Sequence, residues 1–249
     1  LMTVLPKSGK IKKEKESTHG YREFLLSNGM RIYAKSTDIE DDKINMNIFS
    51  LGGQSIYPDA DIPNLRYAIS AVTASGVADL DEDKLDKVLS GKTVRVQPYL
   101  QGEMEGMRGS SSVKDLETMF QLVNLYFTKP RKDNDAFLNL MNKQRSFLSN
   151  RDANPNVTLN DSVSAVVYNK HPRKQPTTIE TLDKVSYERI LEIYKERFAN
   201  AADFCVILTG KIDYDKLRPL LCRYFASLPA KGKAEKVVDR GINEIGRAH

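Results

Sequence analysis

Apolar and polar residues alternate along several short stretches of the chain, and this period of two predicts β-strands. Residues 44–51 are the clearest case, and Gly52-Gly53 ends the alternation. The runs 22–26 and 31–34 flank Ser27-Asn28-Gly29, and Asn-Gly favours a tight hairpin turn in which both residues have positive φ. A hairpin joins antiparallel strands, so a purely parallel sheet is excluded. Further strands are predicted at 94–100, 103–108 and 204–208.

Between these strands, apolar residues recur at helical spacing. The stretch 63–72 places its apolar residues on one face, and Gly76 closes it. Ser112 and Asp115 resemble a capping box that starts a helix, which Pro130 ends. The mixture predicts an α+β fold, a largely antiparallel sheet of about six strands covered by helices. Further helices are predicted at 83–89, from Asp133 or Asp135 onward, at 158–168, at 186–198 and after Asp213.

Charge divides the 249 residues into three parts. The net charge is +5, and residues 1–20 contain five lysines against two glutamates, so we expect a basic, solvated linker there. Residues 21–230 are then the folded domain, and residues 231–249 are a second linker or tail. No aromatic residue lies between the lysines to stack on bases, so nucleic acid is not an expected partner.

The start of the chain and its hydropathy affect the expected class of protein. Leu1 stands where an initiator methionine is usual, and no signal-peptide pattern follows it, so we expect an internal piece of a longer protein. No run approaches the roughly 20 apolar residues of a membrane-spanning helix, so no membrane span is expected.

Candidate catalytic chemistry is sparse. The three histidines, His19, His171 and His249, are far apart, and neither H-E-x-x-H nor H-x-x-E-H occurs, so we expect no metal site in this chain. Cys205 and Cys222 lie within apolar patterns and are interpreted as buried structural thiols, with their redox state left open. The residues alone therefore predict a soluble domain without a visible catalytic apparatus.

A series of segments nevertheless carries a family pattern. Residues 24–32 (FLLSNGMRI) form an opening hairpin motif, and residues 51–55 (LGGQS) form the strand end that follows it. Together, in order and spacing, they resemble the insulinase-like (pitrilysin-type, inverted-zincin) metallopeptidases over residues 20–230. The resemblance is greatest to the third domain of the large, four-domain, PqqL-like bacterial members. Later matching segments are 126–130 (YFTKP), 171–178, 194–198 (YKERF), 204–210 and 224–229 (YFASLP).

The resemblance also implies where a zinc site would lie. In active members the helix after Gly-Gly carries H-x-x-E-H, which supplies two zinc histidines and the glutamate that activates the zinc-bound water. A glutamate on a later long helix is the third ligand. The corresponding positions here are Tyr67, Ser70, Ala71 and, on the later helix, Asn150. None has the required side chain, so the resemblance implies a non-catalytic domain that holds no cofactor of its own.

For the whole protein, the resemblance implies a periplasmic zinc endopeptidase that degrades peptides through an H-x-x-E-H site outside this chain. This domain would form part of the wall of a closing peptide chamber. Its partners would be the other domains of the same polypeptide and the peptide substrates. The alternative is an inactive partner subunit that pairs with a separate catalytic chain. Peptide specificity and oligomeric state stay open.

Overall fold

The computed structural model describes residues 1–151 and 154–243. Within these residues a seven-stranded mixed sheet has the order β1-β2-β3-β7-β4-β6-β5. Strands β3 and β7 are parallel, whereas the other neighbouring strands are antiparallel. The predicted α+β class is confirmed, with one strand more than the six expected. The strands are β1 (Ile11–Glu16), β2 (Arg22–Leu26), β3 (Arg31–Ser36), β4 (Ile44–Leu51), β5 (Val94–Leu100), β6 (Met104–Ser111) and β7 (Cys205–Gly210).

The helices begin at residues that can satisfy their free backbone N–H groups. Asp133, Ser186 and Asp213 each accept such bonds through their side chains. Most of the predicted helices are found with ends shifted by a few residues. The helices are α1 (Ile62–Ser75), α2 (Glu82–Leu89), α3 (Leu116–Thr128), α4 (Asn134–Asn150), α5 (Pro155–Val167), α6 (Ile179–Leu182), α7 (Tyr187–Arg197) and α8 (Tyr214–Leu220), which a π-helical turn at Leu221–Phe225 continues.

The extra strand lies inside the segment that the lysine pattern predicts to be a linker. Ile11–Glu16 pairs with β2 at the edge of the sheet, from Glu16 opposite Arg22 to Ile11 opposite Leu26. The linker prediction therefore does not hold for these six residues. Hydrophobic periodicity misses the strand because an exposed edge strand is held by its backbone hydrogen bonds and can carry lysine along its length.

The hairpin between β2 and β3 forms, but its turn differs from the prediction. Gly29 has a φ of 92°, whereas Asn28 is not among the residues with positive φ. The Asn28 amide instead donates to the carbonyl oxygens of Phe225 at 2.8 Å and Leu228 at 3.1 Å. A long-range contact thus fixes the Asn28 conformation in place of the expected two-residue turn.

The predicted capping box at Ser112 is also wrong. The Ser112 hydroxyl donates to Asp115 Oδ2 at 2.8 Å, and the Thr93 N–H donates to the same oxygen at 2.8 Å. Helix α3 begins only afterwards, at Leu116. The pair therefore joins the end of β6 to the start of β5 rather than capping a helix.

The core lies between one face of the sheet and the helices. Phe24, Ile32 and Val206 on the strands are at most 1% exposed. Phe127 packs edge-to-face against Phe198 and Phe204, with ring centroids 5.1 and 5.0 Å away. Large aromatic side chains of this kind supply much of the apolar area that a core removes from water. Among the residues that the structure describes, no helix has both the length and the apolarity needed to cross a membrane.

Candidate functional site

Helix α1 carries the positions at which the resemblance places a zinc motif. Pro63 lies in its first turn, where a missing N–H breaks no helical hydrogen bond, and Gly76 ends it with a φ of 81°. Helix α7 packs along α1. The hydroxyls of Ser75 and Tyr187 lie 2.6 Å apart between the two helices. The helix is therefore held rigidly against the core, as a site-bearing helix would have to be.

The side chains on α1 do not form a metal site. Tyr67 is 8% exposed and Ala71 is fully buried, so both belong to the core. The hydroxyl of Ser70 donates to the Tyr67 carbonyl oxygen of its own helix at 3.2 Å. Asn150 is exposed at the end of α4, and its amide donates to the Ser146 carbonyl oxygen at 3.0 Å. Protein zinc ligands are Cys, His, Asp and Glu, so these residues do not fit the metal.

The two described histidines, His19 and His171, make their hydrogen bonds with residues outside α1. His19 is exposed in the turn before β2, with its Nδ1 3.3 Å from the Thr18 hydroxyl. His171 contacts the carbonyl oxygen of Arg240 through Nε2 at 2.9 Å. His249 lies outside the described residues. Across residues 1–151 and 154–243, no three His, Cys, Asp or Glu side chains are grouped to hold a metal ion.

A buried charged cluster lies beside the start of α1. Glu105 on β6 and Arg197 on α7 are 1% and 3% exposed at their side chains, with Oε1 and Nη1 3.6 Å apart. The N–H of Gly53 donates to Glu105 Oε2 at 2.6 Å. Gly53 has a φ of 55°, and a Cβ there would lie 2.4 Å from the Met104 nitrogen, so the turn requires glycine.

Burial has the largest effect on the pKa of Glu105. Loss of water raises its pKa to about 7, although Arg197 and the Gly53 N–H favour the charged form. A carboxyl group with this pKa has the proton affinity of a general acid or base. However, its 1% exposure leaves no open approach for a substrate. Glu105 therefore has a structural role, in which its ion pair with Arg197 links β6 to α7.

The cluster continues to the N-terminus of α1. Arg197 Nε donates to the Tyr57 hydroxyl at 2.9 Å, and that hydroxyl donates to Glu196 at 2.7 Å. Arg189 donates two bonds to Asp61, at 3.1 and 2.9 Å, directly before α1. These bonds hold the pKa of Asp61 below its ordinary value. The network thus fixes the entry of α1 against α7.

The C-terminal tail completes the cluster from outside. Glu235 Oε1 accepts a bond from Arg197 Nη2 at 2.8 Å. Further along, the Val238 N–H donates to the Ser55 hydroxyl at 3.0 Å. The tail has no helix or strand from 231 to 243, yet it lies along a groove of about 530 Å³ beside Gln54 and Gln101. The tail is therefore bound to the domain over this stretch, and residues 244–249 lie outside the described part.

This cluster is not among the features predicted from the sequence, although one signal for it is present. Arg197 follows Ile190 by seven residues and Ile193 by four, which places it on the buried face of α7. Glu105 has the same parity in β6 as the buried Met107. Charged residues at core-facing positions of this kind indicate a buried ion pair.

The cysteines match the interpretation as structural thiols only in part. Both are unpaired and half-buried. Burial raises the pKa of the Cys205 thiol above its usual value, opposed by the charge of Arg31. A raised pKa keeps less thiolate at neutral pH, which disfavours a reactive role for Cys205.

Comparisons with known proteins agree with this fold. No family model matches the chain. Over 228 residues it is 23% identical to the probable zinc protease PqqL of Haemophilus influenzae, covering 90% of this chain and 24% of that protein. The chain thus spans about a quarter of the length of this relative.

Solved structures share the fold. The periplasmic protease PqqL from Escherichia coli superposes with a TM-score of 0.80 at 20% identity, over 96% of this chain and 26% of that one. A protease from Helicobacter pylori superposes with a TM-score of 0.69 at 13% identity, over 97% of this chain and 55% of that one. The chain is therefore similar to a domain-sized part of PqqL-like zinc proteases, and its resemblance to the insulinase-like metallopeptidase family is confirmed.

Proposed function

We propose that this chain is a non-catalytic domain of a larger zinc metallopeptidase and forms part of the wall of a chamber that encloses peptides. The catalytic zinc and its H-x-x-E-H motif would belong to another domain of the same polypeptide. In this proposal the partners of the chain are those other domains and the peptide substrates, and the whole protein works in the periplasm.

One observation carries the proposal. On the helix that corresponds to the zinc helix, the motif positions are occupied by Tyr67, Ser70 and Ala71, of which the first and last are core residues. A catalytic zinc needs about three protein ligands and an open position for water. Loss of the whole set at once, with the fold retained, supports a structural role in place of a catalytic one.

The test uses the purified chain alone. After incubation with zinc and removal of the excess, elemental analysis is expected to find no stoichiometric metal. Incubation with unfolded casein is expected to give no cleavage that a chelator abolishes. Stoichiometric zinc, or chelator-sensitive proteolysis by the chain, would contradict the proposal.

The second candidate is an inactive subunit that pairs with a separate catalytic chain. It is favoured by the Helicobacter pylori protease, since this chain covers 55% of that protein against about a quarter of the PqqL proteins. The same fold thus occurs in shorter proteases. The two candidates differ in one observable, the reading frame that encodes the catalytic half. An H-x-x-E-H in the same frame supports the domain, and one in a separate gene supports the subunit.

A further inference from the structure

A small pocket lies between the start of α1 and the segment 172–177. Its volume is about 330 Å³, at the lower end of the range for small-molecule sites, which is roughly 300–1,000 Å³. Most of its wall is apolar, with Ile62 and Pro63 from the first turn of α1 facing Pro172 and Pro176. Binding sites for small ligands have this character, in which a mostly apolar wall carries a few polar groups that orient the ligand.

A half-buried cation, Arg66 of α1, lies on the wall of this pocket. Its Nη1 donates to the Thr177 hydroxyl at 2.7 Å, and its Nη2 donates to the Gln175 carbonyl oxygen. A guanidinium has five N–H groups. Within the part of the chain that the structure describes, these two bonds leave the Nε–H and one N–H on each Nη for a ligand.

Arg66 has no carboxylate partner among residues 1–151 and 154–243. The neighbouring Arg173 shows the contrast. Its Nε donates to Asp59 at 2.8 Å, and its two Nη atoms donate to the carbonyl oxygens of Gln54 and Tyr57. Asp59 is the single carboxylate among the described residues that line the pocket, and its charge is matched by Arg173. The positive charge of Arg66 is therefore left without a balancing anion.

Partial burial makes this charge costly. Loss of water lowers the pKa of Arg66, an effect that the neighbouring Tyr67 opposes. Arginine keeps its proton in proteins, so the pocket wall carries a partly desolvated positive charge. A carboxylate that enters the pocket would replace the lost water with charge-assisted hydrogen bonds. The exposed Lys184 adds a second cation to the lining, and it too forms no ion pair within the described residues.

We propose that this pocket binds an apolar carboxylic acid. The apolar group of the ligand would lie against Ile62, Pro63 and Pro176, and its carboxylate would accept hydrogen bonds from Arg66, with Lys184 adding attraction from the exposed side. Two sources share this chemistry, namely the C-terminal end of a peptide whose last residue is apolar and a free branched acid. A bare inorganic anion is disfavoured, because it would leave the apolar wall uncovered. The inference stands on the pocket and does not rest on the proposed function.

The test measures binding of small probes to the full chain by isothermal titration calorimetry. The main probe is acetyl-Ala-Ala-Leu with a free carboxylate, which is expected to bind. The C-terminal amide of the same peptide loses the charge-assisted bonds and should bind at least about tenfold more weakly. Acetyl-Ala-Ala-Gly keeps the carboxylate but has no apolar side chain to bury, so it should also bind at least about tenfold more weakly.

Variants locate the site. Arg66→Gln removes the charge and is expected to weaken binding of the leucine peptide at least about tenfold. Arg66→Lys keeps the charge without the planar fork and should recover part of that loss. The control Lys87→Gln removes an exposed cation of α2 outside the pocket lining and should bind as the parent chain does. Circular dichroism checks the fold of each variant, and the probe comparisons on the parent chain test the proposal without any substitution.

A further probe separates the two sources. Isocaproate is leucine without its amino group, so binding as tight as that of the peptide supports a free acid, whereas binding of the peptide alone supports a peptide end. The proposal is overturned if neither probe binds, or if the amide or the glycine peptide binds as tightly as the leucine peptide. Binding of inorganic phosphate at the same affinity, or unchanged binding in a folded Arg66→Gln chain, would overturn it as well.

Discussion

Glu105 and Arg197 face each other across 3.6 Å, and both side chains are sealed from solvent. Further bonds of the pair come from Gly53 and Tyr57, which precede α1, and from Glu235 of the tail. A buried charge keeps little stabilising contact with water, so each member depends on the other. The pair therefore connects β6, α7 and the entry of α1.

Replacement of Arg197 tests this dependence. Arg197→Leu keeps an apolar stem but leaves Glu105 buried without a cation, so the free energy of unfolding is expected to fall by about 3–5 kcal/mol. Urea unfolding followed by circular dichroism measures the loss. The matched control is Arg218→Leu, since Arg218 pairs with Glu14 at 2.8 Å on the surface. A much smaller loss of unfolding free energy is expected for Arg218→Leu. Equal losses would show that the buried pair contributes no more to stability than the surface pair.

The raised pKa of Glu105 predicts an unusual dependence of stability on pH. The folded chain binds this proton with a pKa of about 7, against 4.5 for the ordinary carboxyl. Between these values the folded state holds a proton that the unfolded state has lost. The free energy of unfolding should therefore decrease as the pH rises from about 4.5 to about 7, by about 3 kcal/mol from this group.

Glu105→Gln removes the titrating group and keeps an oxygen for the Gly53 N–H. Urea unfolding at intervals from pH 4.5 to 8 should then show a flatter profile than the parent chain over this window, whatever the variant does to absolute stability. Identical slopes in the two proteins would show that Glu105 ionises at its ordinary pKa.

The tail contact gives a third prediction. Glu235→Ala removes the carboxylate that binds Arg197 from outside, so the segment 233–243 should detach more often. Trypsin cleavage after Lys233 and Lys236 is expected to become about tenfold faster, since a charge-assisted hydrogen bond is lost. Asp239→Ala serves as the control. Among the described residues its carboxylate accepts a bond from the Gly241 N–H of the same segment, at 2.8 Å. Equal acceleration of cleavage in both variants would show that the Glu235–Arg197 contact does not hold the tail.

Much of the fold could be predicted because the hydrophobic periodicity, and the glycines and prolines that end each element, agree with the tertiary structure. The alternation at 44–51 is strand β4, and the apolar face between Pro63 and Gly76 is α1. Tertiary packing reinforces these elements, since their apolar sides are the ones buried. The motif positions Tyr67, Ser70 and Ala71 lie on this helix, but their assignment comes from the family resemblance and stays a prediction.

The remainder depends on contacts between distant residues. Strand β1 is held by pairing with β2, and Asn28 is fixed by carbonyl groups some 200 positions later. The burial of Arg197 is not predicted, because a hydrophobicity pattern treats every charged residue as exposed. In each case the conformation or burial is set by a residue far away in the sequence. The hydrophobic periodicity of a local segment carries no information on such distant contacts.

Asn28 gives the last prediction, because it joins the β2–β3 hairpin to the end of the helical segment at Phe225 and to Leu228. Its amide serves two part-buried carbonyl groups, and its Oδ1 accepts the Met30 N–H at 3.2 Å. Asn28→Ala is expected to lower the free energy of unfolding by about 1–3 kcal/mol, the cost of leaving such groups unpaired. Asn28→Asp keeps the acceptor but points a negative charge at the carbonyl oxygens, so it should be at least as destabilising. A well-tolerated Asp would show that only the turn conformation matters, and that the long-range bonds contribute little.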